Sequence, residues 1–128
     1  MDSPSGGTAL TIQVSGPARY VVVTLSGEID FTGHSRLRDE LTQALATTRV
    51  ALIVDLTEVG FCDSSGVNTF VRIARRARER GVSLVLAGMH GRVANVFVIL
   101  GLGQVFHTHE DVEAAVRWLE SAEEGTVS

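Results

Sequence analysis

The sequence predicts an α/β fold in which a mixed, mostly parallel sheet of roughly four to five strands packs with about four helices. Three observations predict it. Continuous apolar runs at Val50–Val54 and Ser83–Ala87 suit strands buried on both faces. Segments with helical apolar spacing separate and follow those runs. Two shorter strand-like segments, divided by Gly16-Pro17, come first and read as a hairpin. The order β-β-α-β-α-β-α-β-α then implies right-handed crossovers between parallel strands.

Taken in order, residues 1–8 are rich in Ser, Gly and Pro and read as a loose tail. Residues 9–123 read as one domain and 124–128 as a frayed end. Leu10-Thr11-Ile12-Gln13-Val14 alternates with the strand period, and Tyr20–Leu25 is β-branched. Thr32 or Gly33 starts a helix over about 33–47, with Leu37, Leu41, Ala44 and Leu45 on one face. The strand at 50–54 ends at Asp55. After a turn at 61–66, Val67, Phe70, Val71, Ala74 and Ala77 keep helical spacing as far as Arg80, and Gly81 closes that helix. A strand at 83–87 and a short helix at 91–100 ending at Gly101 follow. Val105-Phe106 reads as a last short strand, and His109 to about Glu123 as an amphipathic helix with Val112, Ala115, Val116 and Leu119 inward.

Composition excludes several function classes. Of 128 residues, 45% are hydrophobic and 20% charged, enough apolar surface for a core and too little charge for a disordered acidic chain. Net charge is −4, with no long basic tract, against a protein dedicated to nucleic acid. All eleven basic residues are arginine, which removes a Walker lysine and a Schiff-base lysine. One cysteine, Cys62, allows no internal disulfide, and with four scattered histidines it gives no zinc-ligand spacing. The polar N-terminus lacks the pattern of a signal peptide, and no apolar run approaches a membrane span. The chain reads as soluble and cytoplasmic.

The informative stretch is Ile53 to Asn68. A buried strand delivers the chain to Phe61-Cys62-Asp63-Ser64-Ser65-Gly66, and a helix leaves from Asp63 or Ser64. Asp and Ser are good N-caps, and a helix N-terminus tolerates an anion. A phosphate here would add about −1.5 to −2 charges beside Asp63 and leave the fold unchanged. The residue types by themselves require no more than a cap, and they do not separate Ser64 from Ser65.

This segment resembles the signature of the STAS family of bacterial anti-sigma factor antagonists, in which a buried strand leads into Asp-Ser-Ser-Gly or Asp-Ser-Thr-Gly at a helix start. Leu25-Ser26-Gly27-Glu28-Ile29-Asp30 resembles the family's Gly-Glu-Leu/Ile-Asp, and Leu37-Arg38-Asp39-Glu40-Leu41 its Leu-Arg-x-x-Leu helix. Val96–Phe106 resembles its late helix, Gly-Leu turn and short strand. The resemblance implies a phosphoacceptor at Ser64 and a partner-binding surface of Asp30, Asp63, Ser64, Ser65 and Gly66. The partner it implies is an anti-sigma factor that is also a serine kinase of the histidine-kinase-like ATPase fold. The unmodified antagonist binds that partner and frees the sigma factor, phosphorylation ends the binding, and a serine phosphatase resets it. No cofactor is implied, because the kinase supplies ATP and magnesium. An alternative role is a STAS interaction subunit of another assembly, such as a lipid-transport ABC complex or a stress-sensing scaffold. Cys62 and Val67-Asn68 depart from the usual Met or Leu and Leu-Gly.

Other residues point to no catalytic or metal site. Cys62 reads as a packed small apolar residue. The arginines of 72–80 read as a solvated face, or as a docking face for an acidic partner. His34, His90, His107 and His109 have no carboxylate or cysteine at ligand spacing. Gly101-Leu102-Gly103 lacks the strand-first context of a dinucleotide fingerprint. Ser64 lacks the Gly-x-Ser-x-Gly elbow of a hydrolase.

Overall fold

In a computed structural model, residues 9–15, 19–103 and 105–127 are described, the last five by backbone alone. The expected tail at 1–8 and the Gly16-Pro17 turn lie outside the described residues, as do the side chains of 124–128. The elements are β1 (Thr11–Ser15), β2 (Tyr20–Ile29), α1 (His34–Ala46), β3 (Ala51–Cys62), α2 (Ser64–Glu79), β4 (Ser83–Ala87), α3 (Gly91–Ile99), β5 (His107–His109) and α4 (Val112–Val127). Among the described residues they form one five-stranded sheet in the order β1-β2-β3-β4-β5. Only β1 and β2 are antiparallel; the other three pairings are parallel.

Alternation along the central strands divides the core in two. Leu52 and Val54 of β3 and Leu84 and Leu86 of β4 point to the face covered by α1, α2 and α3. Ala51 and Ile53 of β3 and Val85 and Ala87 of β4 point to the face covered by Ala115 and Leu119 of α4. Both faces of these strands are dry, which is why their sequences read as unbroken apolar runs. The expected α1 face, Leu37, Leu41, Ala44 and Leu45, is buried. In α2, Val67, Phe70 and Ala77 are buried together with Ile73.

The two predicted glycine stops are real. Gly81, at φ +72°, sends its N–H to Arg78, while the N–H of Val82 reaches back to Ala77 at 2.9 Å. Gly101, at φ +73°, does the same with Val98, and Leu102 with Phe97. Both are Schellman closures, which need a residue able to adopt positive φ.

Several boundaries differ from the expectation. β2 runs on from Leu25 to Ile29, and α4 runs past Glu123 to Val127. β3 does not end at Asp55 but continues to Cys62. β5 is His107–His109, not Val105-Phe106. Phe106 instead buries itself against Phe97, ring centroids 5.5 Å apart, and the chain joins the sheet just after it. α4 therefore starts at Val112 and not at His109, with Asp111 Oδ1 accepting from the N–H of Ala114 at 2.7 Å.

Candidate functional site

The site is made by the half of β3 that outruns its neighbour. β4 stops pairing at Ala87, opposite Asp55. Beyond that point β3 runs beside β2 alone, with register shifts between Thr24/Ser26 and between Gly27/Glu28. In each, β3 spends one more residue than β2, as a bulge does. The inward positions consequently fall at every third residue, Leu56, Val59 and Cys62, all buried. The overrun is held from the side: His90 Nε2 lies 2.9 Å from the Thr57 carbonyl oxygen. Gly88, at φ +80°, packs so closely that a Cβ there would lie 2.2 Å from Thr57 Oγ1.

β2 and β3 end side by side, with Ile29 opposite Cys62. The N–H of Asp63 then donates to the Ile29 carbonyl at 3.0 Å, tying the start of α2 to the loop that opens α1. In that loop Asp30 Oδ1 accepts from the Thr32 hydroxyl at 2.7 Å and from the N–H groups of Thr32 and Gly33. Asp30 thus holds its own loop, as Asp commonly does in turns.

Asp63 is the N-cap of α2. Its Oδ1 accepts from the N–H of Ser65 at 3.0 Å, from the N–H of Gly66 at 3.1 Å and from the Ser65 hydroxyl. Desolvation pushes the Asp63 carboxyl up, but the Ser65 hydroxyl and the backbone N–H groups of Gly66, Ser65 and Phe31 outweigh it. The carboxyl is held below its ordinary value of 3.8 and stays charged at neutral pH.

The two serines differ. Ser65 is half-buried with its hydroxyl bound to Asp63. Ser64 is exposed at the first position of α2, and its hydroxyl has no hydrogen-bond partner among the described residues. Gly66 is buried beneath them. A Cβ at Gly66 would lie 2.5 Å from Ile29 Cγ2 and 2.8 Å from Cys62 Sγ, so only glycine lets α2 start this close to the strand ends. The structure therefore brings Asp30, Asp63, Ser64, Ser65 and Gly66 together, four at the surface and Gly66 under it.

Cys62 is packed into the core, and burial, reinforced by the Asp63 charge, pushes its thiol up to about 12. It is a neutral thiol at physiological pH, not a nucleophile. The histidines are engaged separately. His34 lies beside the Phe31 ring, His90 holds Thr57, and His107 and His109 pack on Trp118 at 4.6 and 5.1 Å between ring centroids. Among the described residues no group of three His, Cys, Asp or Glu side chains could hold a metal ion. None of their helices is long and apolar enough to cross a membrane.

Sequence reasoning missed two aromatic residues here. Phe31, beside Asp30, is 72% exposed, and Phe61, two residues before Asp63, is 38% exposed. For Phe31 the available signal was an aromatic residue between polar Asp30 and Thr32; Phe61, inside β3 between Gly60 and Cys62, gave no such signal.

Comparison with known proteins agrees with this architecture. The family model described as STAS domain matches residues 10–115. The anti-sigma-B factor antagonist of Listeria monocytogenes is 31% identical over 86 residues, 67% of this chain and 75% of that protein. A structure of the anti-sigma factor antagonist SpoIIAA in its unphosphorylated form superposes with a TM-score of 0.74 at 24% identity, covering 87% of this chain and 97% of that one. The Bacillus cell fate determinant SpoIIAA in its phosphorylated form gives 0.66 at 24% identity, covering 84% and 98%. With the family model spanning every element from β1 to the first turn of α4, the chain belongs to the STAS domain family.

Proposed function

We infer that this chain is an anti-sigma factor antagonist switched by phosphorylation at Ser64. Its unmodified form binds an anti-sigma factor that is also a serine kinase of the histidine-kinase-like ATPase fold, and so releases a sigma factor. Phosphorylation ends that binding, and a serine phosphatase restores it. The chain acts by binding; the kinase supplies ATP and magnesium.

The observation that carries this reading is the difference between Ser64 and Ser65. Ser64 is the exposed hydroxyl with no partner among the described residues, while Ser65 is committed to Asp63. A kinase needs access to a hydroxyl it can align, which favours Ser64. A phosphate there would stand at the N-terminus of a 16-residue helix, where a negative charge is tolerated. It would also stand beside the charged Asp63 and near the Asp30 loop, so the surface becomes more negative while the fold persists. Exposed Phe31, whose backbone N–H reaches Asp63, gives this surface apolar contact area for a partner, with Asp30, Asp63 and Ser65 at its polar part. The names of the relatives supply the partner class.

The test is binding of the unmodified protein to purified anti-sigma factors from the same genome. One of them is expected to bind, and Ser64→Asp is expected to weaken that binding while leaving the circular dichroism spectrum unchanged. Failure of all of them, with a transporter ATPase co-purifying instead, would favour an interaction subunit of another assembly.

A further inference from the structure

Five of the eleven arginines lie within residues 72–80 of α2 and its cap, a concentration of charge that the Ser64 turn does not use. Arg72 and Arg76 stand one helical turn apart. Together with Arg38 of α1 they line a cleft of about 360 Å³ between the two helices. Thr42 and Gln43 supply hydrogen-bonding groups to the same cleft, and the buried Ile73 forms its floor. Among the described residues the only carboxylate in the lining is Asp39, 3.4 Å from Arg38 with both side chains well exposed. Arg72 and Arg76 have no ion-pair partner among the described residues. Three guanidinium groups therefore face one carboxylate, in a chain whose net charge is −4.

We propose that the α1/α2 cleft is a second docking site, which takes an acidic segment of a partner protein through Arg38, Arg72 and Arg76. Planar guanidinium forks match carboxylates in a bidentate way. The exposure of all three arginines decides the kind of occupant. A small anion held by exposed pairs gains little in water, and it has no buried polar group here to fix it. A segment carrying several carboxylates engages all three arginines at once, and its gains add through linkage. Charge complementarity of this kind governs encounter and choice of partner. Arg72 lies eight residues beyond Ser64, roughly 12 Å along the helix at 1.5 Å per residue, so the cleft is separate from the phosphorylatable turn. The proposal does not rest on the Ser64 reading.

A hexaglutamate peptide is titrated into the isotopically labelled protein at low ionic strength and followed by amide and arginine side-chain NMR. Shifts are expected on α1 and α2 around the cleft, fading as ionic strength approaches about 0.15 M, where the Debye length is about 8 Å. The R72E/R76E variant should bind about tenfold more weakly or worse, and the gentler R72Q/R76Q should also lose affinity. An R49E/R75E variant alters net charge by the same amount as R72E/R76E outside the cleft, and it should stay within about threefold of the parent. Three results would overturn the proposal: no shifts at the cleft, equal losses in the two Arg-to-Glu variants, or inorganic pyrophosphate binding more tightly than the peptide. The last would make the cleft a small-phosphate site.

Discussion

The hydroxyl of Ser65 donates to Asp63 Oδ1, and this one bond separates two adjacent serines that the sequence presents as equals. Replacing Ser65 by Ala removes the donor and leaves Ser64 as it is. Ser65→Ala is expected to remain a substrate of the proposed kinase, which should still modify Ser64. Phosphopeptide mapping checks this; loss of phosphorylation in Ser65→Ala would assign the acceptor role to the wrong serine.

Asp63 also sets a pH dependence. Its pKa is depressed in the folded state, so its stabilising contribution is present above the ordinary value of 3.8 and is lost as pH falls through the lower folded value. Side-chain carboxyl NMR of the folded protein should place Asp63 below 3.8, and Ser65→Ala should move it upward. Asp63→Ala should lose about 1 kcal/mol of stability with the cap, measured by urea unfolding at neutral pH.

Cys62 gives the opposite sign. Its folded pKa, about 12, stands above the ordinary 9.0, so its contribution is intact below pH 9.0 and is lost as pH rises from there toward 12. In the folded protein near neutral pH, Cys62 should react slowly with a thiol reagent, and unfolding in denaturant should release fast labelling. Fast labelling of the native protein would contradict the burial of the thiol.

Gly66 tests the packing beneath the turn. Gly66→Ala places a methyl group against Ile29 and Cys62 and should cost about 1–3 kcal/mol through overpacking. Gly60→Ala is the control: a Cβ at Gly60 meets nothing within 4 Å, and its backbone is not in the positive-φ region. Urea midpoints should therefore fall for Gly66→Ala and change far less for Gly60→Ala.

The parts of the fold that sequence reading reached are those where one period governs a whole segment. The α1 face of Leu37, Leu41 and Leu45 obeys the helical period, and the runs 51–54 and 83–87 have dry surroundings on both sides. Legibility failed where the period changes inside an element. The bulges of β3 put Leu56, Val59 and Cys62 three residues apart, a spacing that no strand rule recognises, so the strand reads as ending at Asp55. It failed again at His107-Thr108-His109, whose strand side chains carry no apolar alternation because Trp118 covers the two rings. In the candidate site the cap at Asp63 was legible from residue type. The roles of Asp30 in its own loop and of Gly66 as a spacer were not, because both depend on what β2 and β3 bring alongside.

Mass spectrometry after incubation with the proposed anti-sigma kinase and ATP locates the acceptor residue. One phosphate is expected, on Ser64, and none on Ser64→Ala. A phosphate on Ser65, or a Ser64→Ala protein that is still modified, would contradict that assignment.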